Sequence, residues 1–171
     1  MVSAPQTAAQ QLQIRRAQAA SLELTQWEAD ALQRFAPLVG GTPRRLIRFV
    51  NVYRLIKTSL SPMLLRDFVG RHGESASSRG LVAQLAIVTG APEACQRYFT
   101  VIEALAKEKT VSDALEELES DAEFNNAADC ATVRDILASA RDLTYGSELT
   151  IGQLRSMAPI ARRYSFIARP Q

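Results

Sequence analysis

Residues 40–60, GGTPRRLIRFVNVYRLIKTSL, constrain the fold more than any other stretch. Gly40 and Gly41 suit the end of a preceding helix, because a residue without Cβ enters the left-handed region freely. Thr42 is placed to cap the next helix through its hydroxyl, and Pro43 stands at the first helical position, where a missing N–H costs nothing. Leu46, Phe49, Val50, Tyr53, Ile56 and Leu60 then recur at steps of three and four, which predicts a helix with one buried face. Arg44, Arg48 and Asn51 stack at the same steps on the opposite face, flanked by Arg45 and Arg54. Cations at a helix start oppose the positive end of the macrodipole, at roughly 0.3–1 kcal/mol per exposed charge. An anion docked there would remove that cost, since free N–H groups and guanidinium forks would both face it. The plain alternative is a solvated basic face.

The same start signals recur along the chain. Thr25 and Glu28 form a capping box ahead of an amphipathic seam of Trp27, Ala31, Leu32, Phe35 and Leu38. Ser61-Pro62 opens a short helix through Leu64, Leu65, Phe68 and Val69, ending at Gly70. Residues 71–79 read as a polar loop. Leu81–Val88 is apolar nearly all round and fits a central buried helix better than a strand, the alternative a short apolar run leaves open. Gly90-Ala91-Pro92 breaks it, and Tyr98, Phe99, Ile102, Leu105 and Ala106 trace a further helical face. Thr110 and Asp113 open a helix carrying Glu116, Glu117, Glu119 and Asp121, whose carboxylates read as a solvated face. Val133, Ile136, Leu137 and Ala140 mark another helix, and Thr150 with Gln153 starts a last one running toward Ala161. The expected architecture is an all-α bundle of about seven to nine helices, with or without a short extended C-terminal segment. Residues 1–21 read as a linker-like or frayed segment, 22–168 as a single helical domain and 169–171 as a tail.

Composition narrows the function. The apolar fraction of 47% and charged fraction of 22% are those of a globular domain. No apolar run approaches the roughly 20 residues that span a bilayer, and no apolar leader is visible, so the chain is expected in the cytoplasm. Cys95 and Cys130 read as buried free thiols. One histidine, His72, leaves neither a zinc set nor a His-dependent triad. No G-x-x-x-x-G-K-[ST] is present to cradle phosphates, so the isolated chain is not expected to be an enzyme and no metal site is assigned. Charge is segregated: residues 1–72 hold ten Lys/Arg against four Asp/Glu, residues 73–150 six against fourteen, and residues 151–171 four against none. That order predicts two faces for different partners, or basic ends folded onto the acidic middle.

The residues Gly41-Thr42-Pro43-Arg44, Arg48-Phe49-Val50-Asn51 and Tyr53-Arg54-Leu55 resemble a hallmark of bacterial KAP-type P-loop NTPases, just beyond their nucleotide-binding core. Leu85–Pro92 and the Arg162-Arg163-Tyr164-Ser165-Phe166 ending are similar to two further segments of that family, so the likeness spans about residues 22–168. The resemblance implies a helical lid or regulatory domain packed on an upstream core absent from this chain, with ATP and Mg bound only by that core and no cofactor here. It also implies a phosphate-sensing role for Arg44, by analogy with the lids of AAA+ proteins, and a supporting one for Arg48. Arg45, Asn51, Arg54, Arg162 and Arg163 are the further candidates for anion or partner contact. Two other readings stand beside it. The arginines, including Arg15 and Arg16, could serve a nucleic-acid-binding module, although the acidic middle opposes strong non-specific binding. The aromatic–arginine tail could dock another protein or a second copy.

Overall fold

A computed structural model describes residues 23–70, 76–143 and 148–165. Among these the chain forms nine helices and no strand, as an all-α bundle requires. They are α1 (Gln26–Phe35), α2 (Pro43–Ser59), α3 (Pro62–Val69), α4 (Ala76–Gly90), α5 (Cys95–Ala104), α6 (Val111–Ser120), α7 (Ala122–Asn125), α8 (Cys130–Asp142) and α9 (Ile151–Arg162). The linker-like residues 1–21, His72 and the tail 169–171 lie outside the described residues.

The helix starts follow their local chemistry. The Thr25, Thr110 and Thr150 hydroxyls accept from the backbone N–H three residues on, and Glu28, Asp113 and Gln153 reach back to the cap. Thr42 and Ser61 cap α2 and α3 with proline following each. Gly40 (φ +97°) and Gly70 (φ +77°) occupy the left-handed region. Helix α1 closes at Phe35, however, so Gly40 ends the turn that follows it and not the helix itself.

Helix α4 is the hub. Every residue from Leu81 to Val88 is buried, and α1, α2, α3, α8 and α9 all pack on it, α9 most extensively. The polar Gln84 survives there because its Nε2 donates to the Leu154 carbonyl of α9 at 2.6 Å. Gly90 at its end allows the closest backbone approach, since a Cβ there would lie 2.3 Å from the Leu38 carbonyl oxygen. Of the loop expected over 71–79, residues 71–75 lie outside the described residues, while α4 includes 76–79, and Ser78 and Arg79 are buried. Polar residues in the first turn of a hub helix carry no periodic apolar signal, which is why they read as loop.

Helices α5, α6, α7 and α8 form the other flank. Asp129 ties two of them, accepting from the backbone N–H of Glu93 at 3.0 Å and Ala94 at 2.7 Å just ahead of α5. A single antiparallel bridge joins Thr110 to Thr150, bringing the starts of α6 and α9 together.

Candidate functional site

Helix α2 divides cleanly. Phe49, Tyr53 and Ile56 are buried and Leu46, Val50 and Leu60 half-buried, all on the face the spacing predicts. Arg44, Arg45, Arg48, Asn51 and Arg54 are exposed on the other side. The outer face is not uniformly polar. Ile47 is 59% and Leu55 57% exposed, and at the adjoining start of α3 Met63 is 74% and Leu64 53% exposed. A large aliphatic group left in water at four places on two successive helices, interleaved with arginines, has the composition of a contact surface.

The positive charge at the α2 start is uncompensated from within its own helix, since residues 43–59 contain no Asp or Glu. Arg44 and Arg45 form no ion pair among the described residues. Partial desolvation, and then the neighbouring Arg44 charge, hold the Arg48 guanidinium below its ordinary range. Arg45 folds back over Gly40: a side chain there would come within 2.7 Å of its Nη1. The stretch therefore presents cationic groups beside open surface, the arrangement in which an anion gains both guanidinium forks and unused backbone N–H groups.

Behind this face lies a buried ionic network that the periodic reading missed. Lys57 is 2% exposed, and Glu28 is fully buried. Lys57 Nζ donates to Glu28 Oε2 and to the Glu23 carbonyl, each at 2.7 Å. The Tyr53 hydroxyl donates to Glu28 Oε1 at 2.6 Å, and the Thr25 N–H to Oε2 at 2.7 Å. Burial pushes the Glu28 carboxyl up, but the Lys57 and Tyr53 hydrogen bonds, the Thr25 N–H and the Lys57 charge together hold it below the usual value. Burial, and then the Glu28 charge, raise the Tyr53 phenol far above its ordinary range. One carboxylate thus completes the α1 capping box and fixes the rotation of α2, which decides which residues of α2 face outward. The available sequence signal was Glu28 at the capping-box position, but its partners are 25 and 29 residues away.

The C-terminal candidates are arranged otherwise. Arg162, a candidate for anion or partner contact, is exposed, with its Nη2 2.8 Å from Glu103 and its guanidinium 4.4 Å from the Phe99 ring centroid. It is paired within the fold because α9 packs on α5. Arg163 is exposed at the α9 C-cap. An open groove of about 630 Å3 beside Arg162 is lined by Glu103, Arg155, Ala158 and Pro159, and Arg155 Nη1 already donates to the Leu105 carbonyl.

The acidic run is only partly the solvated face expected. Glu116, Glu117 and Glu119 are exposed, but Asp121 accepts from Arg97 Nη2 at 2.7 Å and caps α7 through the Phe124 N–H at 2.8 Å. No group of three or more His, Cys, Asp or Glu side chains suited to a metal occurs among the described residues. Cys95 is buried, whereas Cys130 is half-buried and not fully enclosed as its type implied. No helix among the described residues is long and apolar enough to cross a membrane.

These features define a class: an all-α helical domain with an arginine-rich and partly apolar outer face. No family model matches the chain, and none of the curated proteins or solved structures compared with it does either.

Proposed function

We propose that this chain is the non-catalytic lid of a bacterial KAP-type P-loop NTPase, acting in the cytoplasm on a nucleotide-binding core not contained in these 171 residues. The outer face of α2 docks on that core. Arg44 reaches toward the terminal phosphate of bound ATP, whose Mg ion the core holds, and Arg48 steadies the contact. Arg45, Asn51 and Arg54 meet polar groups of the core around it. Turnover then biases the lid between two arrangements, because the arginines gain more from one phosphate state than from the other.

The observation carrying this reading is the α2 surface, where cations without a carboxylate in their own helix stand beside exposed Ile47 and Leu55. The aliphatic groups favour a protein partner over a nucleic acid, whose backbone would reward charge but not Ile47, Leu55, Met63 and Leu64. The test is Arg44→Ala in the full-length parent. Removal of a donor aimed at developing charge lowers turnover by roughly 100-fold. ATP turnover and affinity unchanged from wild type would refute the assignment, and salt-sensitive binding of duplex DNA to the chain would favour the nucleic-acid reading instead.

A further inference from the structure

We propose that the outer face of α2 and the outer face of α6 are the two halves of one interface, joining copies of this chain head to tail. The first half is the start of α2 with the start of α3, where Arg44 and Arg45 form no ion pair among the described residues and Ile47, Leu55, Met63 and Leu64 are exposed. The second is α6. It contains no Lys or Arg, and its exposed Glu116, Glu117 and Glu119 form no ion pair among the described residues. Half-buried Leu115 lies on the same helix, an apolar group beside the acidic ones.

The two surfaces occupy different parts of the fold. Helix α2 packs on α4, whereas α6 packs on α5, α7 and α8, and among the described residues no ion pair joins Arg44 or Arg45 to Glu116, Glu117 or Glu119. Each helix carries its charge at the unfavourable end. The first turn of α2 has Arg44 and Arg45 and no acid, and the last turn of α6 has Glu117 and Glu119 and no base. Setting the start of α2 in one copy against the end of α6 in another pairs arginine with glutamate and positive with negative helix end in one step. The aliphatic groups of α2 and α3 are covered by the same contact.

Such a contact is heterologous. Every copy added leaves one basic and one acidic face open, so growth continues until a ring closes. A second copy and an NTPase core cannot hold the same α2 face at once, so the two occupancies exclude each other. Failure of self-association leaves the lid reading intact, because that is judged by turnover of the parent and this by assembly of the 171-residue chain.

The experiment is sedimentation velocity of the full chain and two charge-reversed forms, Arg44→Glu/Arg45→Glu and Glu116→Lys/Glu119→Lys. Wild type is expected to associate at low ionic strength and to dissociate as salt screens the contact. Each variant alone weakens association by roughly tenfold or more, attraction having become repulsion. Mixed in equal amounts the variants associate beyond either alone, since the native halves can pair and the two reversed halves are again opposite in charge. Circular dichroism checks that both remain helical, and the glutamine forms of the same positions serve if a reversal unfolds the chain. A wild type that stays monomeric at low salt, a variant that assembles as wild type does, or a mixture no larger than monomer while wild type associates would each overturn the proposal.

Discussion

Replacing Lys57 with alanine tests whether the buried network seats α2. The substitution removes the ammonium from a fully buried Glu28 carboxylate and leaves it two donors, the Tyr53 hydroxyl at 2.6 Å and the Thr25 N–H at 2.7 Å. It also leaves the Glu23 carbonyl without the Lys57 donor. Breaking one side of a buried pair costs about 3–5 kcal/mol, and the surviving donors put this case at about 3 kcal/mol. For a chain of this length that is a fall in Tm of roughly 6–12 °C. Urea denaturation followed by far-ultraviolet circular dichroism measures it. The double variant Glu28→Gln/Lys57→Ala removes both charges and should cost less than the two single changes summed, with a coupling of about 1–3 kcal/mol. The sign with pH follows from Glu28. Its carboxyl sits below the ordinary 4.5 in the folded state, so its contribution is complete above pH 4.5 and is lost as pH falls through the depressed value. Wild type should therefore lose stability more steeply below pH 4.5 than Glu28→Gln. A Lys57→Ala cost under about 1 kcal/mol, or strictly additive single changes, would refute the network as the element that orients α2.

Gly90→Ala should destabilise by about 1–3 kcal/mol, because its Cβ would sit 2.3 Å from the Leu38 carbonyl oxygen and backbone must move; chemical denaturation reads the change. The two thiols should separate by alkylation rate at neutral pH: half-buried Cys130 reacts in the native protein. Cys95, pushed up to about 11 by burial first and the Asp129 charge second, reacts only when the chain unfolds, and mass spectrometry distinguishes the two.

What the sequence alone determined is what acts within about one helical turn. Thr25, Thr42, Ser61, Thr110 and Thr150 each cap the helix their neighbours predict, because a cap needs a hydroxyl and an N–H three residues away. The i, i+3, i+4 spacing likewise divided α2 into inner and outer faces, and the apolar run of 81–88 favoured a buried central helix over a strand. Which faces meet was decided by tertiary structure alone. Lys57 lies at the edge of the apolar stripe and becomes buried only because Glu28 arrives opposite it; Arg162 meets Glu103 and the Phe99 ring only because α9 packs on α5. Asp129 caps a helix whose start lies some 35 residues upstream. Helical periodicity reports the geometry of one helix about its own axis. The cost of leaving a buried charge or an orphan N–H unpaired depends on what another helix brings to it, and no local pattern carries that information.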